Sequence, residues 1–321
     1  MSVVIVYWQA KGHVENYLGR CLAALKAQTL APREVILVDN GMGELGVGGL
    51  EPLLSPIPLK LISLPKNLGF ATANNLAAKQ SHATWLALLN SDAFPETTWL
   101  QELIQAAQHY PSNYAAFASR QLQAHTPQYL DGAGDSYHIS GLTWRRGYNQ
   151  INNASWDKDR ETFAACGAAL LVKRDVFLAL GGFEEHYFSY LEDVDLSFRL
   201  RLQGYRCQYI ASAKVLHVGS ASTGSQQSDF AIYHGHRNLV WTFFKNMPLN
   251  LLCLCLPYHL ALNLVSLIWF SYKGKWVIWR AKWDALLGLA TVLKKRQHIQ
   301  SQRQAGFWDI WPLLDKGWQR H

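Results

Sequence analysis

Four groups able to do acid–base or metal chemistry stand where elements of this chain begin or end: Asp39, Asp92, the run Glu192-Asp193-x-Asp195, and His217. Asp92 is the most telling, because the apolar run Trp85-Leu86-Ala87-Leu88-Leu89 passes straight into Asn90-Ser91-Asp92. A strand buried on both faces of a parallel sheet reads this way, and ligands of open α/β sheets sit beyond the carboxyl ends of such strands. A carboxylate and an imidazole, completed by water and phosphate oxygens, suit Mn2+ or Mg2+, which makes Asp92 and His217 a candidate ligand pair. Taken alone, each acid has a plainer use as a turn former or helix cap, and a lone His is more often a core residue. Several at one sheet edge favour a shared site.

Within the acidic run, residues two apart on a helix point about 200° apart, so Asp193 and Asp195 cannot serve one site. Asp195 precedes Arg199 by four, the spacing of an exposed ion pair. Glu192 and Asp193 fall in a first turn, where the helix dipole favours negative charge. Whichever of these two faces a cleft is placed as a general base.

The elements around these residues alternate. Val3 to Trp8 reads as a strand, Val14 to Gln28 as a helix with Leu18, Cys21, Leu22 and Leu25 on one face, and Glu34 to Val38 as a second strand ending at Asp39. A third strand over 59–63, a helix over 71–79, the strand ending before Asp92 and a helix from Pro95 to Tyr110 follow. This pattern predicts an α/β doubly wound, mainly parallel sheet with flanking helices. Residues 114–163 read as irregular with short strands or a hairpin. A strand over 166–172, helices at 174–180 and from 192, and a last strand over 209–217 complete the unit. Gly41-Met42-Gly43-Glu44-Leu45-Gly46 fits G-x-G-x-x-G, yet it leads to Gly48-Gly49 and Pro52 in place of a helix. It reads as a flexible loop, which disfavours a dinucleotide fold.

The net charge of +7 is unevenly placed. Residues 1–234 carry 18 Lys and Arg against 20 Asp and Glu, whereas residues 235–321 carry 12 against 3 and hold eight of the 13 Trp. Two units are expected on this division: a catalytic domain over 1–234 and a basic, Trp-rich helical appendage over 235–321. Leu249 to Phe270 has 17 apolar residues in 22, enough to span a bilayer on paper, but Asn250, Pro257, His259, Asn263 and Ser266 interrupt it. Trp276, Trp279 and Trp283 share a helical face among Lys273, Lys275, Arg280 and Lys282, the make-up of an interfacial helix, and Lys294-Lys295-Arg296 suits anionic lipid. The basic part is also the greasiest, which excludes nucleic acid as partner. Five scattered Cys without a C-x-x-C pair and no basic leader fit reduced thiols in the cytosol. The expected location is the cytoplasmic face of the cell membrane, peripheral or monotopic.

Taken in order, the residues resemble the family-2 nucleotide-sugar glycosyltransferases of GT-A fold, in particular the rhamnosyltransferase-like branch of bacterial surface polysaccharide synthesis. The matching pieces are residues 2–8, Gln28-Thr29 with 34–40, Asn67-Leu68-Gly69-Phe70 with Asn74-Asn75, 88–92, Cys166-Gly167-Ala168, Gly181-Gly182-Phe183, 190–196 with Arg199, and His217. The resemblance implies that Trp8 and Asp39 contact the base and ribose of a nucleotide-sugar donor, with Asn67 and Asn74 lining the nucleotide pocket. It makes Asp92 the last acid of the D-x-D metal motif, His217 the later metal ligand and Asp193 the catalytic base. Asn90 stands in place of the motif's first acid, which leaves Asp92 its only carboxylate. The implied activity is inverting, metal-dependent transfer from a nucleotide diphosphate sugar, such as dTDP-L-rhamnose, to a lipid-linked glycan. A catalytically inert nucleotide-sugar- or carbohydrate-binding membrane adaptor is the contrasting reading, and Asp92, Asp193 and His217 argue against it.

Overall fold

A computed structural model describes the chain except residues 9–15, 43–48, 220–227 and 318–321. In chain order the elements are β1 (Ser2–Tyr7), α1 (Tyr17–Lys26), β2 (Glu34–Asn40), α2 (Glu51–Leu54), β3 (Leu59–Leu64), α3 (Phe70–Gln80), β4 (Trp85–Asn90), β5 (Ala93–Pro95), α4 (Trp99–His109) and β6 (Tyr114–Gln123). There follow β7 (Leu130–Gly132), β8 (Asp135–Tyr137), β9 (Thr143–Arg145), β10 (Arg160–Thr162), β11 (Ala169–Lys173), α5 (Arg174–Ala179), α6 (Glu192–Leu202) and β12 (Arg206–His217). The C-terminal helices are α7 (Asp229–Asn246), α8 (Leu249–Tyr272), α9 (Val277–Leu287), α10 (Leu289–Gln302) and α11 (Phe307–Ile310).

The main sheet runs β10-β12-β6-β11-β4-β1-β2-β3, with β5 and β7 paired at its side. Strands β3, β2, β1 and β4 are parallel, β11 is antiparallel to both neighbours, and β6 and β12 are again parallel. Alternate residues of each strand feed two cores: Val3, Ile5, Val35 and Leu37 meet α1 and α4 on one face, and Val4, Ile36 and Val38 meet α3 and α6 on the other. This is why the strands read as unbroken apolar runs.

Two expectations for the first half need correction. Pro95 does not open a helix; it closes β5, whose Phe94 pairs with Leu216, and α4 begins at Trp99, an indole wholly buried with Nε1 on Ser119 Oγ. Residues 114–163 are not merely irregular, since they hold β6, a ten-residue central strand. Its polar residues misled the pattern: Arg120 and Gln121 are buried, and Arg120 is carried by Asp157, Asn152 and the Asn153 carbonyl. The strand expected over 166–172 starts at Ala169. The G-x-G-x-x-G stretch falls mostly outside the described residues, as does the start of the first helix as read.

A third core joins the C-terminal helices to the sheet-flanking α6. Phe163, Val194, Phe198 and Leu202 pack with Phe243, Met247, Leu251, Cys255, Ile310 and Leu314. Truncating a buried aromatic such as Phe198 costs on the order of 3–5 kcal/mol, so this seam is worth a large part of the molecule's stability.

Candidate active site

The carboxyl ends of β1, β2 and β4, the end of β12 and the start of α6 surround a cavity of about 680 Å³. Trp8, Asn67, Asp92, Asp193 and His217 line it, together with Asn40, Asn90, Asp135, Arg145, Cys166, Gly167 and Glu192. Asp39 and Asn74, both implied as donor-site residues, are not among its lining residues, and neither is Asp195. Asp39 is buried beside it and accepts from the Met42 amide at 2.8 Å. Asn74 is buried in α3, its Nδ2 donating to the Phe70 carbonyl at 2.9 Å. The amide network at the β2 edge instead runs through Asn40: its Nδ2 donates to Asn67 Oδ1 at 2.9 Å and its Oδ1 accepts from the Leu68 amide at 2.9 Å.

Asp92 and His217 meet because β12 runs antiparallel to β5, pairing His217 with Ala93. His217 Nε2 lies 3.4 Å from Asp92 Oδ1 and 3.3 Å from Asn90 Nδ2, and its Nδ1 lies 2.8 Å from Asp131 Oδ2. Asp131, which the sequence did not reveal, is itself bound by Arg145 Nη1. The order Arg145, Asp131, His217, Asp92 is a chain of alternating charge. Burial works against a charged His217, but Asp92 and Asp131 outweigh it and lift its pKa to about 9. Burial likewise opposes Asp131 as an anion, and Arg145 and His217 overcome that, holding it at about 2.

These donors fit a divalent ion of the Mn2+ or Mg2+ kind. Two adjacent octahedral ligands at ~2.1 Å from such an ion are ~3 Å apart, close to the Asp92–His217 spacing of 3.4 Å. A carboxylate on Nδ1 leaves Nε2 as the ligating atom, the second-shell arrangement of metal-bound histidines. Asp135, Cys166 and Asp193 also bring donor atoms within 4.8 Å of one another. Burial pushes the Cys166 thiol up to about 12, and burial with the neighbouring Asp193 pushes Asp135 up to about 8.

Asp193 and Asp195 do diverge, as their spacing requires. Asp193 Oδ2 accepts from the Gly167 amide at 2.7 Å and Oδ1 from the Val194 amide at 2.8 Å, which fixes the orientation of the side chain. Asp195 pairs with Arg199 as expected but is not exposed: it is wholly buried, with Arg199 Nη2 and Lys245 Nζ each at 2.8 Å. The sequence showed the partner at i+4 and not the Lys 50 residues on. Glu192 is buried, its pKa raised by burial and by Asp193, and its Oε2 has no hydrogen-bond partner among the described residues. Asp135 Oδ1 is similarly unpartnered.

The backbone entering α6 is strained. Phe188, Tyr190 and Leu191 all have φ near +70°, at 67°, 71° and 67°. Phe188, with ψ at −60°, is the centre of a γ-turn closed by the Ser189 amide on the Tyr187 carbonyl at 2.8 Å. Left-handed backbone costs a side-chain-bearing residue roughly 1–2 kcal/mol. The turn packs on Gly69, where a Cβ would lie 2.6 Å from the Phe188 carbonyl oxygen, so only glycine fits.

Residues 2–180, more than half of the chain, match glycosyl transferase family 2. The chain belongs to that family. The matched span of this family 2 transferase ends before Asp193 and His217. It is 28% identical over 265 residues to N-acetylglucosaminyl-diphospho-decaprenol L-rhamnosyltransferase of Mycobacterium tuberculosis, covering 73% of this chain and 81% of that protein. It is 26% identical to the O-antigen chain rhamnosyltransferase WbaN of Salmonella anatum, over 60% of this chain and 59% of the other. GalNAc-T7 with UDP, GalNAc and Mn2+ superposes with a TM-score of 0.60 at 14% identity, over 76% of this chain and 47% of that one. The mannosyltransferase PcManGT of Pyrobaculum calidifontis with GDP-Man and Mn2+ gives 0.54 at 15% identity, over 94% and 83%. The transferase therefore has a GT-A fold, carried by its mostly parallel sheet and flanking helices.

Proposed function

We propose that this glycosyltransferase is inverting and divalent-metal-dependent, and moves a sugar from a nucleotide diphosphate to a lipid-linked glycan at the cytoplasmic face of the cell membrane during polysaccharide synthesis. The observation that carries this reading is one cavity in which Asp193, fixed by two backbone N–H groups, faces the same space as Asp92 and His217. Asp193 takes the proton of the attacking hydroxyl, and Asp92 and His217 hold the ion. That ion, when bound, supplies positive charge to the departing diphosphate. One base and direct displacement at the anomeric carbon invert configuration. The names of the two rhamnosyltransferase relatives favour rhamnose as the sugar, and that of the mycobacterial relative favours a polyprenyl-diphosphate-linked acceptor.

The membrane reading draws on α8 and α9. Leu251, Cys255, His259 and Ser266 make one buried stripe along α8, while Leu260, Leu264, Ile268 and Tyr272 stand exposed. Trp276, Trp279 and Trp283 are 67%, 54% and 62% exposed, an apolar surface too large for water alone. The helix passes the length and composition test for a span. Its buried stripe, however, is packed on the body: His259 stacks on Phe243 with ring centroids 3.9 Å apart, and its Nδ1 lies 2.8 Å from the Ser140 carbonyl. An in-plane position in one leaflet keeps these contacts, whereas a span would draw the Ser140 loop into hydrocarbon.

Titration with a panel of nucleotide sugars in Mn2+ or Mg2+ tests the donor; a specific hit lost in Asp92→Ala is expected, and binding of none rejects the assignment. Flotation with anionic vesicles tests the surface. Trp279→Ser with Trp283→Ser should release the chain, and a wild type that never floats rejects the lipid contact.

A further inference from the structure

Three left-handed residues directly before Glu192-Asp193 persist only if their surroundings over-determine them. Those surroundings lie outside the sheet. Asn238 of α7, wholly buried, has its Nδ2 at 3.1, 3.0 and 2.8 Å from the carbonyl oxygens of Tyr187, Ser189 and Tyr190. Its Oδ1 accepts from Arg237 Nε at 3.0 Å, and Arg237 Nη2 donates to the carbonyls of His186 and Tyr187, both at 3.0 Å. One turn further along α7, Thr242 Oγ1 lies 2.9 Å from the Tyr187 hydroxyl. From the opposite side the Ala71 amide donates to the Phe188 carbonyl at 3.3 Å.

We propose that Asn238, supported by Arg237, is a positioning residue for catalysis: through the left-handed turn it sets the start of α6 and so aims Asp193 at the reacting hydroxyl. The proposal rests on Asp193 being the base. A turn that relaxes to ordinary φ re-aims the first residues of α6, and the Asp193 carboxylate then leaves the Gly167 amide that now holds it at 2.7 Å. Misplacing a reacting group by 1 Å costs about 10²-fold in rate. Asn238 donates these bonds to the Ser189 and Tyr190 carbonyls from α7, outside the sheet. The appendage that offers the apolar face therefore also finishes the catalytic geometry.

The test is a double-mutant cycle on the full chain in vesicles, with turnover of dTDP-L-rhamnose or whichever donor the panel identifies. Asn238→Leu should lower kcat by about 10- to 100-fold with the donor dissociation constant nearly unchanged, and amide exchange should quicken over 188–193 while β1 and β4 stay protected. In the Asp193→Asn background the same substitution should change the residual rate by less than about twofold, because Asn238 acts through Asp193. Equal losses in both backgrounds, or a loss of donor affinity matching that of kcat, reduce Asn238 to a structural residue and overturn the proposal. Asp193→Asn with an undiminished rate overturns the base assignment, and the proposal with it, while leaving donor binding as evidence for the transferase. If Asn238→Leu does not fold, Arg237→Met removes two bonds from the same turn and reads the same cycle.

Discussion

The cleft at the sheet edge and the junction of α6 with α7 both bury charge, and they treat it in opposite ways. At the junction every acid is answered: Asp195 meets Arg199, Lys245 and the Asn246 amide, and Glu184 meets Lys245 at 3.0 Å and Lys295 at 2.6 Å. In the cleft Asp135 and Glu192 each keep a buried oxygen without a partner among the described residues. A satisfied network rigidifies, whereas buried polar atoms left open are costly unless a ligand completes them. Asp193 and Asp195, two residues apart on one helix, differ in the kind of partner: Arg199 and Lys245 answer Asp195, whereas the Gly167 and Val194 amides hold Asp193 where it lines the cavity. Burial and formal charge alone therefore do not separate these two acids; cationic partners lock one into the structure, and backbone amides leave the other at the cavity wall.

The strongest way to break the comparison is to make Asp193 dispensable. Asp193→Asn should cut transfer by about 10²- to 10⁴-fold with donor affinity retained in calorimetry, and an equal loss of donor binding would place it in the nucleotide site instead. Lys245→Met should act on stability: it strips Asp195 and Glu184 of a shared counter-ion and should cost about 3–5 kcal/mol in urea unfolding, while a cost under about 1 kcal/mol would mean that Arg199 and Lys295 suffice. Asp131→Asn should weaken Mn2+ binding by about 10- to 100-fold in calorimetry, since it frees the imidazole that Asp131 orients. The smallest effect is that of acid. Burial opposes the Glu184 and Asp195 carboxylates, yet Lys245 with Lys295 or Arg199 holds both below the usual carboxylate range. A depressed folded-state pKa gives stability that is complete above the unfolded value near ~4 and is lost as pH falls below it. The unfolding midpoint should therefore drop between about pH 5 and 3 by the equivalent of about 1–3 kcal/mol, with a shallower slope in Lys245→Met.

Sequence pattern reached the parallel half of the sheet because β1 to β4 obey one local rule, apolar strands that end in a polar residue. It singled out Asp92, Asp193 and His217, which line one cavity, for the same reason, each lying at an element's end. It missed β6 because Arg120 looks like a surface residue until Asp157 and Asn152, more than 30 positions away, are folded against it. Asp131 was hidden in the same manner, 86 residues from the imidazole it holds. Pro95 shows the converse failure: proline suits a first helical turn and an edge strand alike, and only the pairing of β5 with β12 decides. What no local pattern could show is that α7 supports the turn before α6.

The hairpin of β8 and β9, which carries Asp135 and Arg145, is sewn to the far end of the chain. The Asp315 amide donates to the Tyr137 carbonyl at 2.8 Å, and the Ile139 amide donates to the Asp315 carbonyl at 3.0 Å. Contacts of such sequence separation close late, after the loop entropy between them has been met. On the ribosome, α8 and α9 emerge before residue 315 does, so the molecule acquires its exposed apolar surface before its cleft is complete. Pulse-labelled hydrogen exchange during refolding should find the amides of Ile139 and Asp315 protected after those of β1 and β4, and earlier protection would reverse that order.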